Sequence, residues 1–377
     1  MKRTKIIAMY LPQYHRIPEN DLWWGEGFTD WVSAKNATPL FKMHNQPKIP
    51  LNDNYYDLAD VNAIKWQADL ARSYGIDGFG IYHYWFSSSQ KLLTTPAELL
   101  LQNKEINIPF FFAWDNCSWV RTWSKLKHNT NAWSPKFDKQ RDDAENGVLA
   151  ELKYGDKTDW EIHFNYLLPF FLDQRYIKVD NKPVFIFFNY YDKTCMGEMI
   201  KYWHKLATEN GFDGMYIMSR ENPYDGMMGL DGLFSYEPMF TAWQNKNIFF
   251  RVYAKMAEKY RRKDRLQIFN YDRVWQSIIR HARGNHKSKL MYGGFVNYDD
   301  TPRRGNRGKI VYGGTPEKFQ NYLDQLYSIS QSQGKEFIFL TAWNEWGEGA
   351  YLEPDTTDGY AYLEAVKAVK ERHEKDS

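Results

Sequence analysis

Cysteine is nearly absent from this chain: Cys117 and Cys195 are the only two among 377 residues. Two thiols supply neither a disulfide framework nor a zinc-binding spacing, so a reducing, cytoplasmic setting is the expectation. Long apolar runs are missing as well. No stretch approaches the ~20 apolar residues of a membrane span. The basic-then-apolar start at Met1–Tyr10 reaches Pro12 too early to be a signal-peptide core. Nor does one sign of charge dominate: 49 basic residues face 47 acidic ones, which leaves no global field for gathering nucleic acid. Glycine loops that cradle phosphate, GxGxxG or GxxxxGKS/T, do not occur. His15, His44, His83 and His163 form neither an HExxH pair nor a facial-triad spacing, so no metal or other cofactor is expected.

What the chain has in excess is aromatic side chains, 18% of all residues, with 15 Trp and 27 Tyr. A surplus of Trp and Tyr over Phe and Leu points to amphipathic rings at a cleft, although about half are expected in the core. Strand-like runs recur at Lys5–Tyr10, Asp77–Trp85, Pro109–Trp114, Pro183–Asn189, Met215–Ser219, Gly232–Tyr236, Leu290–Val296 and Glu336–Trp343. Helical patterns lie between them at Ala59–Tyr74, Pro96–Asn103, Glu161–Leu172, Met196–Asn210, Pro316–Gln331 and Gly359–Glu371, with two more in Ile248–Arg283. This alternation predicts a single (β/α)8 TIM barrel over residues 1–377, with a long insertion, Asp115–Asp159, after strand 3. No repeat, low-complexity tract or linker interrupts it. An open doubly wound sheet is the weaker alternative, because the first strand runs into Leu11-Pro-Gln-Tyr-His15 and not into a glycine loop.

In such a barrel, residues just past the strands' carboxyl ends converge on one face. In order these are Tyr10, Gln13 and His15; His83, Tyr84 and Trp85; Trp114, Asp115 and Asn116; Asn189 and Tyr190. Arg220, Glu221 and Asn222 follow, then Tyr236 and Glu237, Asn297, Tyr298 and Asp299, and finally Trp343 to Glu348. Acids and amides read sugar hydroxyls, and rings stack on a sugar's C–H faces. The last run ends in Trp343-Asn344-Glu345-Trp346-Gly347-Glu348-Gly349. Glycoside cleavage needs one protonated and one ionised carboxyl, and two enclosed together push their proton affinities apart. Residues three apart on a continuing strand face opposite sides, but Gly347 would let the chain turn and bring both acids into one cleft. Glu345 and Glu348 are thus the candidate catalytic pair, with Trp343, Asn344 and Trp346 beside them. A pair of salt-bridged loop acids is the plainer alternative. Glu221 and Glu237 stand in reserve as alternative acids.

These residues also carry a resemblance. Asn344-Glu-Trp-Gly-Glu-Gly349, followed by Tyr351-Leu-Glu-Pro354, resembles the closing motif of the WbsX-like proteins. Those are relatives of glycoside hydrolase family 99, the endo-α-mannosidases and endo-α-mannanases. Tyr10-Leu-Pro-Gln-Tyr-His15, Glu19-Asn-Asp-Leu-Trp-Trp-Gly-Glu-Gly-Phe-Thr-Asp-Trp31 and Gly78-Phe-Gly-Ile-Tyr-His-Tyr-Trp85 are similar to the same pattern. The similarity runs along essentially the whole chain, and the second stretch adds Trp24 to the candidate substrate-binding residues. The resemblance implies a (β/α)8 barrel and a retaining route without a glycosyl-enzyme ester. In that route Glu345 acts as base on the substrate's own 2-hydroxyl, giving an epoxide-like intermediate. Glu348 acts as acid on the leaving oxygen and then as base on water. Such chemistry requires a 2-hydroxyl trans to the leaving group, as in α-mannosides and α-rhamnosides. Gly347 departs from family 99, which has histidine there.

WbsX-like proteins are also labelled as glycosyltransferases of surface-polysaccharide gene clusters. A transferase in O-antigen or lipopolysaccharide biosynthesis is therefore the rival expectation. No two aspartates lie two apart, which disfavours a metal-dependent transferase. A glycan-binding barrel without catalysis is the third reading, disfavoured because both acids are intact. All three imply an oligo- or polysaccharide partner. Arg251–Arg265, basic with interleaved aromatics, reads as an outer helix with a charged face, or as a peripheral membrane contact. Asp299-Asp300 with Arg303, Arg304 and Arg307 reads as a solvated loop, or less readily as a binder of an anionic sugar or a phosphate. Trp119, Trp123 and Trp133 read as an outer subsite or as a cluster pinning the insertion.

Overall fold

The eight apolar runs become eight parallel strands in the computed structural model, which describes residues 3–121, 137, 147–190, 195–222, 230–244 and 265–375. They are β1 (Lys5–Tyr10), β2 (Gly78–Ser87), β3 (Phe110–Trp114) and β4 (Lys182–Phe187). The second half adds β5 (Tyr216–Arg220), β6 (Gly232–Phe234), β7 (Leu290–Phe295) and β8 (Phe337–Thr341). Each strand pairs in parallel with the next, and β8 pairs back onto β1. Closure leaves no sheet edge. Two short antiparallel strands, Gln90–Leu92 and Lys178–Val179, hang from β2 and β4.

Large side chains fill the barrel interior. The Phe339 ring sits 4.8 Å from Phe234 and 6.1 Å from Phe111. Gly80 is small by necessity: a Cβ there would meet Met9 Sδ at 2.9 Å and the Phe111 ring at 3.2 Å.

Outside run α1 (Val61–Ser73), α2 (Thr95–Gln102), α3 (Lys157–Phe171) and α4 (Cys195–Glu209). They are followed by α5 (Tyr271–Gly284), α6 (Pro316–Ser332) and α7 (Ala361–Lys375). Helix α3 starts four residues before the expected Glu161, because Asp156 and Asp159 close a reciprocal capping box around its first turn. Of the two helices expected in 248–283, only α5 is seen; residues 245–264, and with them most of the basic run 251–265, lie outside the described residues. No helix among the described residues is long and apolar enough to cross a membrane.

Two connections on the carboxyl side are elaborate. The one after β1 carries two short helices, Pro18–Trp24 and Asp30–Lys35. The insertion after β3 opens with a small ribbon, Trp119–Val120 against Val148–Ala150. Trp119 fastens that ribbon, its ring 5.0 Å from Tyr84, 5.5 Å from Phe86 and 6.0 Å from Trp23. Trp123 and Trp133 lie outside the described residues.

Candidate active site

Beyond β8 the chain makes a miniature hairpin. Asn344–Glu345 pairs with Ala350–Tyr351, and Trp346–Glu348 forms a 3-10 turn between them. Gly349, at φ 54°, takes the left-handed position that closes it. The turn expected at Gly347 therefore sits two residues later. Tyr14, from the loop after β1, braces the hairpin: its hydroxyl donates to the Asn344 carbonyl (2.6 Å) and accepts from the Trp346 N–H (3.0 Å).

One guanidinium gathers the acids. Arg303, on the short helix Thr301–Arg304 past β7, donates through Nη1 to Glu348 Oε1 (2.7 Å) and through Nη2 to Glu345 Oε2 (3.1 Å). Its Nε and Nη2 also bind the two oxygens of buried Asp30, at 3.2 and 2.8 Å. The segment around Asp299 is thus no solvated loop. Asp299 accepts from Gln46 Nε2 (2.6 Å) and the Thr301 hydroxyl (2.6 Å) and pairs with His44 Nε2 (2.8 Å), which folds the segment into the barrel mouth.

Burial pushes the Glu345 carboxyl up to about 8, against the pull of Arg303 and with help from Glu348 and Asp30. The Glu348 side chain is 24% exposed against 6% for Glu345, so an incoming ligand meets Glu348 first. Tyrosines wall the pair. Tyr82 and Tyr236 share a hydroxyl–hydroxyl bond of 2.7 Å. The Tyr82, Tyr84 and Tyr236 phenols are held neutral by burial and by the field of Glu345; Tyr298 is held likewise, with Asp300 and Glu348 nearby.

Of the residues expected from sequence, Tyr84 and Tyr236 share this mouth with Glu345 and Glu348. Others are placed elsewhere. Trp343 and Trp346 are fully buried; Trp346 stacks on Tyr351 at 3.7 Å and donates to Glu353 at 2.7 Å, leaving no face for a sugar. Asn344 is a strut, bonded both ways to the Leu11 backbone at 2.8 and 3.0 Å.

His83, Trp85 and Trp114 face outward, onto α3: His83 Nε2 lies 2.8 Å from His163 Nε2, Trp85 stacks on His163 at 4.2 Å, and Trp114 meets it edge-on at 4.9 Å. Burial lowers His83 to about 3, as befits a neutral core histidine. Tyr10 donates to Gln67 of α1 (2.7 Å), Asn116 ties down the Asn189 backbone, and Asn297 bonds Tyr362 of α7. Gln13, His15 and Trp24 are buried within the first loop, where the Gln13 carbonyl accepts from the Asp30 N–H (3.1 Å).

The reserve acids sit apart from Arg303. Glu221 binds Ser235 (2.8 Å) and His281 of α5 (3.0 Å), and Glu237 binds Thr241. Among the described residues no group of three or more His, Cys, Asp or Glu is disposed to hold a metal.

Sequence reading passed over Tyr14, Asp30 and Tyr82, and named Arg303 only as part of a loop. For Tyr82 a signal existed: residues 82 and 84 of a strand share one face and 83 and 85 the other. Only one of those pairs can enter the barrel. Nothing local marks Arg303 out from Arg304 or Arg307.

A family model described as Glycosyltransferase WbsX matches residues 6–366. Two proteins named uncharacterized protein WxcX, from Xanthomonas campestris pv. campestris strains B100 and ATCC 33913, are each 27% identical over 97% of this chain and 50% of their own length. The chain thus spans about half the length of the curated relatives it matches. Among solved structures, a GH99 endo-α-mannosidase from Bacteroides thetaiotaomicron superposes with a TM-score of 0.55 at 14% identity, covering 98% of this chain and 97% of that one. A glycoside hydrolase-like protein gives 0.57 at 11% identity, covering 98% and 94%. Likeness at such identity is likeness of fold.

Proposed function

This chain belongs to the WbsX glycosyltransferase family, and we propose that it is a glycan-acting enzyme whose Glu345 and Glu348 carry the chemistry at an α-glycosidic bond. The observation that carries this reading is the pair of carboxylates held on one buried guanidinium at the carboxyl mouth of a closed barrel. A carboxylate with raised proton affinity is a stronger base. That suits Glu345 to taking a proton from the 2-hydroxyl of a mannose- or rhamnose-type unit as that oxygen bonds the anomeric carbon and the leaving oxygen departs, and to returning it when the incoming hydroxyl opens the epoxide-like ring. Glu348, nearer solvent, gives its proton to the leaving oxygen and recovers one from the incoming hydroxyl.

The acceptor separates two readings. Transfer to a glycan hydroxyl during surface-polysaccharide assembly is favoured by the family's name. Hydrolysis is favoured by the pair itself: a nucleotide diphosphate departs without a proton, so a transferase using a nucleotide sugar needs only a base, whereas cleaving an ether-like glycosidic bond uses both acids.

The test is product analysis by NMR on α-mannans, rhamnose-containing polysaccharides and aryl glycosides, with and without sugar nucleotides. New linkages formed only with a nucleotide donor establish transfer and remove hydrolysis. Reducing sugar released without one does the reverse. Products that persist in the Glu345→Gln, Glu348→Gln double variant would overturn the assignment of this site.

A further inference from the structure

Gly347 stands between the two glutamates, and its backbone is not in the left-handed region that calls for glycine. What it lacks is room. A Cβ at that position would meet Arg303 Nε at 2.5 Å and both Asp30 carboxylate oxygens at 2.6 Å. The Gly347 N–H itself donates to Asp30 Oδ2 at 3.2 Å. The space where a side chain would stand is therefore filled by the Asp30–Arg303 ion pair.

Three separate connections build this arrangement. Asp30, with no exposed surface, comes from the second short helix after β1. That helix is seated by Trp31, whose ring lies 5.4 Å from Trp346. Arg303 arrives after β7, and Gly347 with both acids after β8. Buried ion pairs are a poor source of net stability, since well-packed apolar residues do as well or better. What a guanidinium supplies in their place is a rigid planar fork that holds two carboxylates on fixed nitrogens.

We infer that Arg303, carried by Asp30 in the space left open by Gly347, is the positioning residue that holds Glu345 and Glu348 in register with one another. The inference rests on the reading that this pair is the reaction centre. Besides Glu348 and Asp30, the groups facing Glu345 are the phenols of Tyr14, Tyr82, Tyr84 and Tyr236. Arg303 is the cation among them that holds its proton affinity down.

The experiment titrates the full chain with 13C-labelled glutamate carboxyls, the Glu345 signal being assigned by its loss in Glu345→Gln. Arg303→Met should raise the Glu345 midpoint by about one unit or more. Gly347→Ala, which crowds the ion pair without removing its charge, should move it the same way. Arg303→Lys should keep the midpoint near the wild-type value while turnover falls about a hundredfold, because charge survives and geometry does not.

An unmoved midpoint in folded Arg303→Met and Gly347→Ala, or full turnover in Arg303→Lys, overturns the inference; if Arg303→Met fails to fold, Gly347→Ala decides. Midpoints that move in the variants, with a wild-type chain that processes no glycan, would overturn the reaction reading alone. Turnover with unmoved midpoints would overturn the positioning role alone.

Discussion

A carboxyl that burial lifts to about 8 keeps its proton at neutral pH. As a base, Glu345 works only in its minority ionised form. On an aryl glycoside, whose leaving phenolate needs no proton from Glu348, kcat/KM is therefore expected to climb with pH, approaching tenfold per unit below a midpoint of about 8 and levelling above it. A falling limb over that range in the pH–rate profile would make Glu345 the acid. Glu345→Gln and Glu348→Gln should each lower turnover by about 10²- to 10⁴-fold while leaving the thermal midpoint intact. Glutamine copies the shape of the proton-bearing form, and a variant that lost turnover only because it unfolded would fail this check. The pair was legible in sequence because both acids crowd the end of one apolar run. Arg303 was not, because it lies 42 residues from Glu345 and 273 from Asp30. Nothing in Pro-Arg-Arg-Gly-Asn-Arg tells which arginine folds inward.

On β2 the alternation of the pleat decides what no residue type could. Tyr82 and Tyr84 enter the mouth; His83 and Trp85 turn to α3. Both pairs are polar aromatics, so composition alone fits either phase. The outward phase has a measurable consequence. His83→Ala removes a ring that touches His163, Trp85, Tyr166 and Phe112. It should cost about 2–4 kcal/mol by urea denaturation with turnover per folded molecule unchanged. Loss of turnover at unchanged stability would return His83 to the site. The two short helices after β1 were illegible for another reason. Six or seven residues hold too few turns to show a period, and such helices are stabilised by what they pack on. For the second that is the hairpin carrying the glutamates, met by Trp31 against Trp346; the first sets Trp23 against Trp119 of the insertion. The insertion after β3 was legible as an interruption of the β/α alternation, not as a ribbon.

The barrel as a whole was readable because each β/α unit repeats one pattern, and eight such runs favoured a closed parallel sheet with helices outside over an open doubly wound one. Less readable was how many acids that closure would bury. Desolvation raises Glu237 and Glu353 to about 7, Asp300 to about 6 and Glu345 to about 8. A carboxyl raised in the folded state contributes stability at low pH and loses it as pH climbs through the folded value. Histidines oppose this on the acid side. Burial lowers His15, His83, His163 and His204, so their contribution is present above an unfolded value of about 6.5 and fades as pH falls. Asp173 and Asp299, both held low by hydrogen-bonding partners, add a further loss in stronger acid. Stability should therefore peak near about pH 6, and calorimetry should find Tm falling between about pH 6.5 and 8.5. Glu237 lies away from Arg303, so Glu237→Gln should flatten the alkaline decline without touching turnover. A Tm that held level or rose over that interval would mean that the buried carboxyls are ionised in the folded barrel. The base assigned to Glu345 would then lose the raised proton affinity that makes it strong.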